Sequence, residues 1–131
     1  IIILPGFGIV SEAVLFLTDK DRLFGQASMI YASIWIAVLG TSVWGHHMYT
    51  AGLDVDTRSY FSAATMIIAV PSAVKVFNWL GTLYGSHHKI DSLWCWAYSF
   101  IFLFTFGGLS GIVLSSASLD VVLHDTYYVV A

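Results

Sequence analysis

The 131-residue chain is 58% hydrophobic and only 10% charged, against about 25% charged residues in a soluble domain. With a mean hydropathy of +0.82, that shortfall excludes an ordinary soluble globule and points to an integral membrane protein. The formal net charge of −3 leaves no basic face for nucleic acid, and the single cysteine, Cys95, allows no intrachain disulfide and reports no compartment.

A helix needs about 20 mostly apolar residues to cross the hydrocarbon core. Residues 1–17 are apolar apart from Ser11 and Glu12 and read as the second half of a span. The opening Ile1-Ile2-Ile3-Leu4-Pro5 has neither Met nor a basic n-region, so it is not expected to be a signal peptide. Thr18 to Arg22 reads as a short polar loop, residues 26–45 as an uncharged span, and residues 49–58 as a second polar connection. Residues 59–84 form a span interrupted by Pro71 and carrying Lys75, residues 86–92 a third connection, and residues 93–115 another span. Ser115 to Asp120 marks its exit, and a last helix is expected to begin near Asp125. The fold expected is an all-α transmembrane helical bundle segment, with three complete spans and a partial one at each end. That pattern suggests a piece of a larger subunit.

Alternate connections lie on one side. Lys20, Arg22 and Lys89 share a side and Arg58 takes the other, a split that favours the first as cytoplasmic or matrix. The opposite side gathers His46, His47, Asp54, Asp56, Asp120, His124 and Asp125. Gly107, Gly111 and Ser115 recur every fourth residue, a stripe expected to serve close helix packing.

Ionisable side chains are costly in a membrane, and a functional role is the default reading where they occur. Trp44-Gly45-His46-His47-Met48 places two imidazoles at the end of an apolar segment. Imidazole suits copper, zinc and iron. Neighbours on a regular helix point about 100° apart, so both rings can reach one metal only where the backbone leaves that geometry. The alternative is a pair of interfacial histidines anchoring a helix end. His87-His88, between Ser86 and Lys89 in a polar loop, is expected to be of that bland kind.

Lys75 lies too deep in residues 59–84 for easy snorkelling. Pro71 frees the carbonyl of Ile67. Thr65, Ser72, Lys75 and Thr82 fall at offsets that share a helical face. Hydroxyls beside a buried amine can order water, and a buried lysine can gain and lose a proton. This suggests a proton route. His124-Asp125 with Asp120 offers nitrogen and oxygen ligands, the carboxylates suiting magnesium or manganese. On spacing alone, an N-cap at Asp125 or Thr126 explains that cluster better.

Three strings resemble the heme-copper cytochrome c oxidase subunit I family: Trp44 to Arg58 (WGHHMYTAGLDVDTR), Ala64 to Leu80 (ATMIIAVPSAVKVFNWL) and Leu123 to Ala131 (LHDTYYVVA). The likeness runs along the whole chain and corresponds to the centre of the family's subunit, from its sixth helix to the start of its tenth. The Asp54-to-Arg58 stretch is more similar to cytochrome c oxidases than to their quinol-oxidising relatives. The resemblance implies that His46 and His47 are two of three copper B ligands. It implies that Lys75 names the K proton route, with Ser72 where threonine is usual and Ser11 as its serine near the heme. It implies that His124 and Asp125 belong to a magnesium site, which replaces the N-cap reading, and that Asp120 lies near the heme propionates. The axial ligands of heme a and heme a3 and the third copper histidine would lie outside this sequence, so the chain alone is not expected to be active. Glu12 stands where the family commonly has histidine.

The reaction implied is reduction of dioxygen to water with electrons from cytochrome c, coupled to proton pumping. The partners implied are the rest of subunit I, other oxidase subunits including the one carrying copper A, and membrane lipid. The location implied is the mitochondrial inner membrane, with a bacterial plasma membrane as the alternative. A non-redox channel or carrier using buried Lys75 is the rival reading, since a proline break beside a buried charge suits one.

Overall fold

The computed structural model describes residues 1–87 and 89–131; His88, and with it the His87-His88 pair, lies outside the described residues. All regular structure among them is helical. The helices are α1 (Ile3–Thr18), α2 (Gln26–Gly40), α3 (Val55–Ile67), α4 (Ala69–Leu83), α5 (Ser92–Ser115), α6 (Ala117–Leu123) and α7 (Tyr127–Val130), with a 3₁₀ segment, Trp44–Ala51, between α2 and α3. Three stretches are long and apolar enough to cross a membrane: Gln26–Ala51, Val55–Leu83 and Ser92–Ser115. The 16 residues of α1 rise about 24 Å, short of the hydrocarbon thickness.

The elements differ from the sequence reading at their ends. The second polar connection shrinks to residues 52–54, because the 3₁₀ segment continues to Ala51 and α3 starts at Val55. Gly52, at φ 84, makes the reversal between them in the left-handed region that glycine enters at little cost. The break in the proline-bearing span falls at Ile68, three residues before Pro71. There the Ile68 N–H turns to the carbonyl of Thr65, and the Ser72 N–H and hydroxyl both donate to the carbonyl of Ile68. The exit after α5 is itself a short helix, α6, which the serine-rich sequence does not signal.

The core joins four helices through Phe7, Val10 and Val14 of α1, Met29 of α2, Val76, Trp79 and Leu83 of α4, and Ile101 of α5. Phe7 meets Trp79 and Phe104 edge-on at centroid distances of 5.5 and 5.3 Å. Pairs of this kind add about 0.5–1.5 kcal/mol each beyond their buried area. The other faces stay apolar and exposed, including Ile30, Ile34 and Trp35 on α2 and Phe102, Leu103 and Phe106 on α5. Such faces suit lipid or further protein. Among the described residues, a Cβ at Gly107 or Gly111 would meet nothing within 4 Å, so the stripe faces open space within this chain.

The two ends of the bundle are separately tied. At one end, the Lys20 amine donates to the carbonyls of Thr82 (2.6 Å) and Tyr84 (3.0 Å), closing the C-terminus of α4, where a cation also suits the helix dipole. The Thr82 hydroxyl accepts from the Phe24 N–H there, and the Asn78 amide donates to the Ser28 hydroxyl. At the other end, the Tyr49 hydroxyl donates to the Ser115 carbonyl (3.2 Å), and Ser62 accepts from the Ala117 N–H (3.1 Å). The loops carrying Lys20 and Arg22 therefore share a side with the end of α4. The histidine segment shares the other with the α5–α6 junction, as the alternation of loops requires.

Candidate functional site

At the Tyr49 end, the backbone leaves α-helical geometry where the two histidines sit. Residues 44–51 are 3₁₀, interrupted at Met48 (φ −114, ψ 18). The imidazoles of His46 and His47 lie side by side, their centroids 4.1 Å apart with 45° between ring planes. The departure from regular α-helix that a shared ligand requires is thus present. His46 is half-buried, and its Nδ1 is buried with no hydrogen-bond partner. An orphaned acceptor of this kind costs free energy unless something occupies it. A metal is one such occupant, and imidazole nitrogen is a donor that copper accepts.

The turn is held by close packing at Gly45. A Cβ there would run into the Phe61 ring, which stacks edge-on against Trp44 at 5.4 Å. Helix α6 packs against the same segment. It carries half-buried Asp120, close enough for its charge to reach His46. Beyond α6, His124 is extended and Asp125 takes φ 53, a left-handed conformation that aspartate tolerates. Their side chains approach to 3.5 Å between Nδ1 and Oδ2, and the Asp125 side chain is 96% exposed. Thr126, not Asp125, is the N-cap of α7, and it makes no side-chain cap bond. Among the described residues, no group of three or more His, Cys, Asp or Glu side chains is assembled to hold a metal. Either pair would hold a metal only with further ligands added to it.

Asp54, in the link before α3, is solvent-exposed and outside the spans. The Thr57 side chain beside it is the largest influence holding its carboxyl below the ordinary carboxylate range, with a smaller contribution from Arg58. Arg58 keeps a buried Nε without a partner.

Lys75 is only 4% exposed, midway along α4. Its amine lies 5.1 Å from the Phe7 ring centre and 5.8 Å from that of Trp79, distances at which a ring face attracts a cation. It lines a cavity of about 240 Å³ with Ser11, Gln26 and Ser33. Ser11 is fixed there: its hydroxyl donates to the Phe7 carbonyl (2.8 Å) and accepts from the Trp79 indole N–H (3.0 Å). The structure thus brings Lys75 and Ser11 together.

It separates Ser72 from them. Ser72 and Thr65 line a different, larger and mostly apolar cavity of about 450 Å³ between α3–α4 and α5. The expected single stripe of hydroxyls is therefore divided. The Thr65 and Ser72 hydroxyls donate to the carbonyls one turn back, and Thr82 is spent on Phe24 and Asn78. Sequence reasoning missed Trp79, whose indole holds Ser11. Its signal was its place one helical turn after Lys75.

The family described as Cytochrome C and Quinol oxidase polypeptide I matches residues 1–131. The chain is 60% identical over 131 residues to cytochrome c oxidase subunit 1 of Pecten maximus, covering all of this chain and 28% of that protein. It is 57% identical to the subunit 1 of Mytilus edulis (all of this chain, 24% of that protein). It is 53% identical to that of Cereibacter sphaeroides (all of this chain, 23% of that protein). The chain spans about a quarter of the length of the curated relatives it matches. Three apolar spans, tied ends and a family match over every residue lead to one conclusion: this is a multi-pass membrane chain of the cytochrome c and quinol oxidase polypeptide I family.

Proposed function

We propose that this chain forms the central part of a cytochrome c oxidase catalytic subunit, contributing to dioxygen reduction with electrons from cytochrome c and to proton pumping. The observation that carries the reading is the ring pair of His46 and His47, presented at the end of a membrane helix with His46 Nδ1 buried and unpartnered. Those two nitrogen donors fit copper. When bound, copper and heme supply the oxygen binding and electron transfer that no side chain here offers.

The chain's own residues have the following roles. His46 and His47 hold copper B as two of its ligands, the rest coming from outside these residues. Asp120 sits beside His46 on the cofactor side. His124 and Asp125 offer one nitrogen and one carboxylate to a magnesium ion that other segments complete; the Asp125 carboxylate, though close to His124, is open to such an ion by its exposure. Lys75 takes up and releases a proton at Nζ. Ser11 keeps one wall of its cavity polar, and Ser72 is the hydroxyl neighbour on the α5 side of α4. Heme a and heme a3 take their axial ligands from other parts of the subunit. The partners are those parts, the copper A subunit and further oxidase subunits, with lipid on the exposed faces. The mitochondrial inner membrane is the proposed location.

The test is to purify the native membrane complex through a tag on this chain and assay copper, heme and oxygen consumption. The proposal expects stoichiometric copper and heme with oxygen uptake driven by reduced cytochrome c. A complex devoid of both would overturn it and favour a channel or carrier.

A further inference from the structure

Tyr49 is only 1% exposed, and none of the roles given above uses its hydroxyl. A buried hydroxyl costs free energy unless it is bonded, so phenylalanine would be the cheaper filler if packing were the only demand. The phenol donates to the Ser115 carbonyl at 3.2 Å and lies 3.3 Å from the Ser62 hydroxyl. A phenol has one proton to give. With that proton on Ser115, the Ser62 hydroxyl is the donor to Tyr49. Ser62 in turn accepts from the Ala117 N–H at 3.1 Å. The bonds therefore run in one direction, from the Ala117 N–H through Ser62 and Tyr49 to the Ser115 carbonyl.

Both ends of that chain are groups that a helix break orphans. Ser115 ends α5 and Ala117 opens α6. Terminal carbonyls and N–H groups have no partner within their own helices. Ser116, between them, is extended (φ −71, ψ 118) and makes no side-chain cap bond to α6. One side chain from the 3₁₀ segment and one from α3 thus close the break at Ser116. The 3₁₀ segment, α3 and α6 also pack pairwise against one another. What the junction holds in place is α6, which carries Asp120, and the Asp120 charge reaches His46. His46 and His47 precede Tyr49 on the same 3₁₀ segment. One phenol therefore ties the segment of the imidazole pair and the helix of the acid to a single point.

We propose that Tyr49 and Ser62 are positioning residues that hold Asp120 beside the His46–His47 ring pair, so that its charge acts on the metal bound there. This rests on the reading of His46 and His47 as copper ligands. Neither hydroxyl touches the metal or moves a proton; the pair acts by fixing the chain direction at Ser116. Losing the Tyr49 hydroxyl frees the Ser115 carbonyl, and losing that of Ser62 frees the Ala117 N–H. Either loss lets α6 and Asp120 move relative to the imidazoles, while the packing of the Tyr49 ring stays.

The experiment uses the assembled oxidase complex with Tyr49→Phe, Ser62→Ala, Ser62→Thr, Asp120→Asn and the Tyr49→Phe/Asp120→Asn double variant. It reads copper and heme content, hydrogen exchange of the α6 amides by mass spectrometry, and the infrared stretch of carbon monoxide held on the copper after photolysis. With metals retained, Tyr49→Phe and Ser62→Ala are each expected to lower protection at the start of α6 about fivefold, the worth of one net hydrogen bond. Both should move the carbon monoxide band in the direction that Asp120→Asn moves it. Ser62→Thr keeps the hydroxyl and should leave both readouts at their wild-type values. In the double variant the band should sit where Asp120→Asn alone puts it, as for two changes acting through one group. An unmoved band in Tyr49→Phe and Ser62→Ala, or an equal further shift in the double variant, would overturn the positioning role. A wild-type complex without copper would instead defeat the reading of the two histidines.

Discussion

Lys75 differs from the other four basic residues in what surrounds it. Lys20, Arg22, Arg58 and Lys89 sit at loops or helix ends, whereas Lys75 faces two aromatic rings and a polar-lined cavity inside the bundle. Methionine keeps much of its volume and removes the proton-binding amine. Lys75→Met is therefore expected to lower turnover by about tenfold or more while heme and copper stay bound, as oxygen consumption and metal assay would show. At Asp54 the sign of the pH effect is fixed by a lowered carboxyl pKa. The stability it lends to the start of α3 is present above the unfolded pKa and lost as pH falls through the folded one. Thr57→Val should raise the Asp54 carboxyl toward the ordinary carboxylate range, readable by NMR titration of labelled aspartate. Asp125→Asn should weaken an outer-face magnesium or manganese ion and spare copper; manganese occupancy by paramagnetic resonance tests this. Lys75 and the two histidines were legible in the sequence because charge and imidazole are conspicuous in apolar runs. Trp79 was not, since its bond to Ser11 joins residues 68 apart.

The spans were legible from hydropathy, since residues 93–115 correspond to α5 (Ser92–Ser115) almost residue for residue. The histidine segment was less so. Its 3₁₀ geometry depends on tertiary contacts: Tyr49 bonding to the α5 end, and Phe61 filling the space above Gly45. Hydropathy carries no trace of either. Gly45→Ala should push Phe61 and Trp44 apart at about 1–3 kcal/mol, the usual range for overpacking. The ring pair next to it should shift, lowering copper content more than heme content in the purified complex. The divided hydroxyl stripe has a similar origin. Thr65 on α3 and Ser72 on α4 line one cavity across the interruption at Ile68, whereas Lys75, on the same helix as Ser72, lines the other. Helix α6 escaped the sequence reading because seven residues show too little periodicity, and its start is marked only by serines.

At the scale of the molecule, the two tied ends give the bundle a direction. One end holds Lys20, Arg22 and the approach to Lys75. The other holds His46, His47, Asp120, His124 and Asp125. The proposed proton route would run from the first toward the proposed metal centre at the second, and the broad apolar outer faces leave room for lipid and neighbouring subunits. The class of protein was readable from composition alone. A metal centre was not, because the described residues bring together no group of three or more candidate ligands. Copper stoichiometry of the native complex carrying His46→Asn tests the central claim most directly. The account predicts loss of copper and of oxygen reduction, with the helical spectrum and assembly unchanged. Full copper occupancy with wild-type turnover would contradict it.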